Sequence, residues 1–246
     1  MSERVWTMRT LVDYLNETAR RYYVDDNPII SDAQWDALYA QLVQMEADTG
    51  TRLPDSPTRR VGGEPVSAFV QHRHISRLWS MDKVQSRAEL MAWFARVEAL
   101  HEKLEGVPPL SYCVEYKFDG LTVNLTYENG LLAVAATRGN GEVGEMILPQ
   151  VRTVNDIPLS IPYQGQIEIQ GECIMRLSVL KAYNQNATEK LKNARNAAAG
   201  ALRNLDPRVT ASRRLSTYFY DIGTIENPPY TEQAGLFSFI EENGFP

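Results

Sequence analysis

The chain has 246 residues, a formal net charge of −6, 43 % hydrophobic residues and two cysteines, enough for one large domain or a substantial domain with a small appendage. Nothing in it approaches the ~20 consecutive apolar residues of a membrane span, and Glu3, Arg4 and Arg9 interrupt the N-terminus where a secretory apolar region would lie, so a cytoplasmic protein without membrane association is expected. The acidic balance argues against a general basic field for gripping nucleic acid, and two cysteines make neither a disulfide framework nor a four-thiolate zinc site.

In chain order, Met8 to Tyr22 repeats Leu11, Leu15, Ala19 and Tyr22 on one helical face. Ser31-Asp32-Ala33-Gln34 is a capping box for a second helix running to about Glu46, and the two make a helical hairpin. Asp32, Trp35 and Asp36 crowd the start of the second helix, near Tyr22 and Tyr23 at the end of the first; packing and dipole compensation explain them as well as ligand recognition does. Thr51 to Val66 is rich in Pro, Gly, Ser and Thr and reads as a linker, which puts a domain boundary between 66 and 67. A short extended piece then carries His72 and His74; like His101 they have no partner at ligand spacing and are assigned no metal. Ser86 and Glu89 form another capping box, for a helix to about Leu104 that turns Leu90, Phe94, Val97 and Leu100 inward.

Val114-Glu115-Tyr116-Lys117-Phe118-Asp119-Gly120 reads as a strand ending in a lysine with a carboxylate and a glycine behind it. A lysine amine attacks electrophiles only where burial or cationic neighbours favour its neutral form, and a strand end would hold it still. Lysine before a turn-forming Asp-Gly is also a common solvated loop residue. Leu121 to Tyr127 alternates, Asn129-Gly130 suits a tight hairpin, and Leu131 to Thr137 returns antiparallel. Thr137-Arg138-Gly139-Asn140-Gly141-Glu142-Val143-Gly144-Glu145 has three glycines in six residues, a backbone that lets amides approach an anion. Gln166 to Met175 alternates again, with Glu168, Gln170 and Glu172 on one face, suited to ribose hydroxyls or metal-bound water or else to an exposed sheet face. Cys113 and Cys173 lie in strand-like runs and fit buried thiols. A polar helix from about Leu177 precedes Asn193 to Pro207, a stretch rich in small residues whose helix places Arg195 and Arg203 about two turns apart. With Arg208, Arg213 and Arg214 they form an arginine-dense zone, a candidate anion site. Leu215 to Tyr220 is strand-like, and Thr231 to Asn243 is helical with Gly244 as its stop.

Several signatures follow one another in a specific order: Tyr22-Tyr23 with Asp32-Ala33-Gln34-Trp35-Asp36; Pro54-Asp55-Ser56-Pro57-Thr58 with Val61-Gly62; Glu115-Tyr116-Lys117-Phe118-Asp119-Gly120; Thr137-Arg138-Gly139; Gly171-Glu172; and Arg195-Asn196-Ala197-Ala198-Ala199-Gly200 through Arg203 and Asp206-Pro207. In that order and spacing the chain resembles, over essentially its whole length, the N-terminal part of bacterial NAD-dependent DNA ligases. The resemblance implies an α+β fold. A small α-helical hairpin domain that binds NMN (1–66) would precede an ATP-grasp-like nucleotidyltransferase core of antiparallel sheets with flanking helices (67–246). The hairpin separates this family from ATP-dependent ligases and from RNA ligases and capping-type transferases, which share the lysine motif.

The resemblance also implies a reaction and its residues. Lys117 would attack the α-phosphorus of NAD, expel NMN and carry AMP as a phosphoramidate; AMP would pass to a 5′-phosphate at a nick in double-stranded DNA, and the 3′-hydroxyl would displace it. Asp119 would arrange water around Mg2+. Arg138, Arg195 and Arg203 would hold phosphate or nucleotide groups, Glu115 would face the adenine, Glu172 the ribose, and Tyr220 would stack on the base. Ser80 and Met81 would line the adenosine pocket, and Tyr22, Tyr23, Asp32, Trp35 and Asp36 would recognise NMN. No protein-ligated metal is implied, and a monomer is expected. The chain departs from the family pattern at Asn140 and Met146, where aspartates are usual, at Trp35, where tyrosine is common, and at Lys83, where asparagine is usual. It also stops before the family's D-G-V-V-x-K segment, so a piece of a longer ligase is expected. The alternative is a catalytically impaired nucleotide-binding or scaffold remnant of such a ligase.

Overall fold

The structure is a computed structural model that describes residues 5–25, 27–60 and 68–246; the Tyr23 side chain and the Val61-Gly62 part of the linker signature lie outside the described residues. The chain forms two units, one running to Leu78 and resuming at Phe118, the other comprising Trp79–Lys117.

The first unit opens with α1 (Met8–Tyr23) and α2 (Asp32–Thr49). Ser31 caps α2 as its sequence requires: its hydroxyl accepts from the Gln34 amide, and the Gln34 side chain accepts from the Ser31 amide. The helix runs three residues past Glu46 and stops at Gly50, whose φ of 64° suits a left-handed end. Leu11, Val12 and Leu15 of α1 and Leu42 of α2 are fully buried between the helices.

The stretch after α2 differs from the linker its composition implied. Asp55, Ser56, Pro57 and Thr58 are buried, and Pro57–Arg60 forms a 3-10 turn. The buried Glu46 carboxylate accepts from Ser56 Oγ at 2.6 Å and Thr58 Oγ1 at 2.8 Å and pairs with Arg52. Asp55 takes both arms of the Arg9 guanidinium at 2.9 and 2.7 Å. Hydroxyls and prolines that signal a loop by composition serve here as donors to buried acids, which persist only when so satisfied. Arg60 then donates to the carbonyls of Val154 and Ile157 at 2.9 and 2.8 Å.

Two antiparallel sheets follow. β1 (Gln71–Arg73) pairs with β4 (Val143–Glu145). β2 (Leu121–Glu128), β3 (Leu131–Thr137), β5 (Ile167–Ile174) and β6 (Ser216–Ile225) form a sheet of order β3-β2-β5-β6. Asn129 and Gly130 turn the β2-β3 hairpin at φ 50° and 75°. One face is the core: Val123, Leu125 and Tyr127 of β2, Ile167, Ile169 and Cys173 of β5 and Phe219 of β6. Ala197, Ala198 and Ala201 of α6 (Ala194–Leu202) join that core, their small side chains letting the helix lie near β5 and β2. Short α4 (Leu148–Val151) and α7 (Pro207–Ser212) pack together nearby, and α8 (Gln233–Glu242) contributes Leu236, Phe239 and Ile240. The remaining helix of this unit is α5 (Leu177–Asn186). The other face of the sheet is not solvated either. Asn124, Thr126, Glu168, Gln170 and Glu172 are all at most 8 % exposed, so the reading of β5 as an exposed strand face is overturned.

The second unit holds α3 (Arg87–His101), capped by Ser86. Phe94 meets Tyr112 edge-on at 4.9 Å, whereas Leu90 and Leu100 stay exposed. The expected inward stripe is not buried, because one helix and its trailing segment enclose too little volume to bury it. The residues leading to Lys117 form no strand, and Cys113 is exposed. Alternation alone does not make a strand; a partner must supply the hydrogen bonds, and pairing begins only at Leu121. Among the described residues, no helix is long and apolar enough to cross a membrane.

Arg60→Ala leaves part-buried carbonyls without their donor. It is expected to cost about 2 kcal/mol, read as a lower denaturant midpoint with an unchanged slope; an unchanged midpoint would show that Arg60 does not anchor the turn.

Candidate active site

The site begins where β2 meets β5. A Cβ on Gly120 would lie 2.1 Å from the Cys173 carbonyl oxygen, so only glycine lets the chain enter β2 this close to its neighbour. That approach brings the Gly120 amide to Glu172 Oε1 at 3.0 Å, and Thr122 Oγ1 donates to Glu172 Oε2 at 3.0 Å. A nearly buried carboxylate is thereby pinned by the glycine of the lysine motif. Tyr220 lies beside it, hydrogen-bonded to Thr122; burial first, and the Glu172 charge second, push its phenol up to about 12. Phe118 stacks on Tyr218 with ring centroids 4.1 Å apart and planes 6° from parallel.

The guanidinium groups come from α6 and from the loop after β3. Arg195, in the first turn of α6, donates to Asp119 Oδ1 at 2.7 Å. Arg203, at the C-cap of the same helix, forms a two-pronged pair with Glu145 at 2.7 and 3.0 Å, which raises its already high pKa. Arg195, Arg203, Arg138, Gly139, Gly144, Glu145, Glu172 and Gly120 share the lining of one cavity of about 450 Å³. The Arg195–Asp119 pair is exposed and the Arg203–Glu145 pair partly so, so each contributes little to stability. Both guanidiniums can exchange a carboxylate for a phosphate, Arg203 with the two-pronged geometry it already uses.

Asn140, one of the departures from the family pattern, accepts through Oδ1 from the Glu142 and Val143 amides at 2.9 and 2.8 Å. It therefore closes the glycine-rich loop as an aspartate would, without the charge.

The sequence-derived residues divide among the elements. Asp119, Arg138, Glu172, Arg195, Arg203 and Tyr220 belong to the first unit, and each borders the cavity or bonds to a residue that does. Ser80, Met81, Glu115 and Lys117 lie in the second unit; Lys117 is its last residue, one peptide bond before Phe118. On the helical hairpin, Tyr22 lies in the last turn of α1, and Asp32 and Asp36 lie one turn apart and exposed on α2. Trp35 donates its indole N–H to the Leu15 carbonyl at 3.4 Å and stacks on Tyr39, so its ring is engaged in packing. Asp119 engages Arg195 through one oxygen.

Glu145, Phe118 and Tyr218 were not anticipated. The acid closing the glycine-rich loop was a legible signal for Glu145. The stacking of Phe118 on Tyr218 depends on strand register and had no signal in local sequence.

The chain matches the sequence model of the NAD-dependent DNA ligase adenylation domain over residues 66–246 and that of the DNA ligase-like N-terminal NAD+-binding domain over residues 1–62. It is 52 % identical over 239 residues to a DNA ligase of Alkaliphilus metalliredigens and 54 % identical over 239 residues to one of Alkaliphilus oremlandii, each match covering 97 % of this chain and 36 % of the relative. A DNA ligase of Finegoldia magna is 47 % identical over 243 residues, 97 % of this chain and 37 % of the relative. The chain thus spans little more than a third of the length of these curated relatives.

The raised Tyr220 pKa sets a stability window. Below pH 10 the phenol is protonated whether the chain is folded or not; between 10 and about 12 only the unfolded chain ionises, so stability falls as pH rises through that interval. Alkaline unfolding curves are expected to show this fall weakened in Tyr220→Phe, and phenolate absorbance should lose one late-titrating component. Identical curves for the two proteins would contradict the assignment.

Proposed function

The chain belongs to the NAD-dependent DNA ligase family, and from that premise we propose that it is the self-adenylating part of such a ligase, with a helical NMN-binding domain at 1–66 and a nucleotidyltransferase domain at 67–246. The observation that carries this reading is the meeting of Arg138, Arg195 and Arg203 with Glu172 and the glycine of the lysine motif around one cavity. A dinucleotide's pyrophosphate needs planar, two-pronged cations, and a nucleoside needs an acceptor for its hydroxyls; this lining offers both.

In the proposed first step the neutral Lys117 amine attacks the α-phosphorus of NAD. The N–P bond forms, the P–O bond to NMN breaks, NMN leaves with the electron pair, the amine nitrogen gives up one proton to solvent, and AMP remains on Lys117 as a phosphoramidate. Arg138, Arg195 and Arg203 neutralise charge on the phosphate oxygens and hold them in line with the amine. Glu172 accepts from the ribose, Tyr220 and Glu115 address the adenine, and Ser80 and Met81 complete the adenosine pocket. Tyr22, Tyr23, Asp32, Trp35 and Asp36 bind NMN, whose cationic ring suits carboxylates and aromatic faces. The carboxylate chemistry of Asp119 fits Mg2+, which binds through a few acidic oxygens and keeps its waters; when bound it supplies further charge neutralisation. In the later steps the 5′-phosphate of nicked double-stranded DNA takes the AMP, and the 3′-hydroxyl displaces it. The protein is proposed to act as a cytoplasmic monomer.

Asn140, which keeps the loop closed, removes one reason to read the chain as an inert remnant. Incubated with NAD and magnesium chloride, the chain is expected to gain one AMP on Lys117, seen by intact-mass and peptide mass spectrometry. Lys117→Ala should gain none, and Arg203→Met should slow labelling by at least about tenfold. An adduct formed from ATP and not from NAD would overturn the cofactor assignment; binding of AMP and NMN without any label would favour the remnant.

A further inference from the structure

A buried polar network beneath the cavity has no part in the chemistry above. Glu168, with no exposed surface, accepts four hydrogen bonds: Oε1 from the Ile75 amide at 3.0 Å and from Asn124 Nδ2 at 2.9 Å, Oε2 from the Ser76 amide at 2.9 Å and from Ser76 Oγ at 3.0 Å. Asn124 Nδ2 is also 3.1 Å from His74 Nδ1, and His74 Nε2 is 3.2 Å from the Arg138 carbonyl oxygen.

The polarity of this chain of bonds follows from its two ends. A carbonyl oxygen only accepts, so His74 Nε2 carries the proton and Nδ1 is left as an acceptor. The Asn124 amide then has one N–H for Glu168 and one for His74, which agrees with its Oδ1 being buried without a hydrogen-bond partner. Turned the other way, the amide would set its oxygen against a carboxylate. The same segment also holds the loop by its backbone: the His74 amide donates to the Glu142 carbonyl at 3.0 Å, and the Leu78 amide to the Gly141 carbonyl at 2.9 Å.

We infer that His74 is a positioning residue for the Thr137-Arg138-Gly139 loop, held in its Nε2–H tautomer by Asn124 and Glu168, and that this network sets where Arg138 enters the cavity. Glu168 clamps residues 75 and 76 to β5, and His74, next in the chain, transmits that clamp to the Arg138 carbonyl. The consequence for nucleotide binding rests on the nucleotide-site reading of the cavity given above.

His72, His74 and Glu168 also offer ligand atoms within 4.8 Å of one another, as a metal centre would require. Both nitrogens of His74 and both oxygens of Glu168 are already engaged, so a cation would have to displace bonds at each. Burial and the neighbouring His74 hold the His72 pKa below the ordinary histidine value, but its ring alone does not make a site.

The test uses the chain as it stands. Long-range proton–nitrogen NMR should find His74 as the Nε2–H tautomer, and this measurement needs no variant. His74→Asn keeps an acceptor near Nδ1 but falls short of the Arg138 carbonyl, whereas His74→Gln can place an N–H near the Nε2 position. In the Asn variant, hydrogen-exchange protection of the Gly141 and Leu78 amides should fall roughly tenfold and AMP affinity with it; the Gln variant should recover most of both. An Nδ1–H tautomer, unchanged protection in the Asn variant, or stoichiometric zinc binding at His72 and His74 would overturn the inference. Loss of protection with unchanged AMP affinity would support the network and count against the nucleotide-site reading instead.

Discussion

A carboxylate buried in a sheet must be given donors from outside its own strand, and β5 carries two such groups. Glu172 draws in the Gly120 amide and the Thr122 hydroxyl; Glu168 draws in the Ile75 and Ser76 amides and the Asn124 side chain. Leaving either acid unsatisfied would cost several times what one exposed ion pair contributes. This requirement fixes both the glycine of the lysine motif and the segment that holds the glycine-rich loop. The catalytic reading depends on both attachments, because the arginines acquire a common target only if these backbones are held in place.

The guanidiniums are less firmly held. Arg195 and Arg203 already face Asp119 and Glu145 with short, well-directed bonds. Because these carboxylates are exposed or partly so, releasing them carries little desolvation cost, and a pyrophosphate with two negative charges is a stronger partner than one carboxylate. Under the proposed function, the charges that phosphoryl transfer would need are thus oriented beforehand, a condition under which they would act without reorganising during the reaction.

Within the first unit, buried acids tie the helical hairpin to the turn that follows it. Glu46 and Asp55 bind hydroxyls and the Arg9 guanidinium, and Arg60 reaches the carbonyls around Val154. A segment rich in proline, serine and threonine is usually flexible because nothing demands its donors. Here two carboxylates demand them, and the stretch up to Arg60 is ordered as a consequence.

The sequence alone determined most elements: the capping box at Ser31, the Asn129-Gly130 hairpin, the alanine-rich helix and the ordered motifs that identify the family, because each depends on residues close together in the chain. It also predicted a strand before Lys117 and an inward stripe on α3, and both failed; the stretch read as a linker is a buried turn as far as Arg60, and of the two readings of the polar face of β5 the exposed one is excluded. Strand formation needs a partner, burial needs an opposing surface, and the state of a polar residue depends on whether a distant group requires its hydrogen bond. Local pattern contains none of these. The pairing of Arg203 with Glu145, the stack of Phe118 on Tyr218 and the line of bonds from Glu168 to the Arg138 carbonyl join residues far apart in sequence. Only the tertiary structure decided them, because the register of one strand against another sets which side chains come within reach.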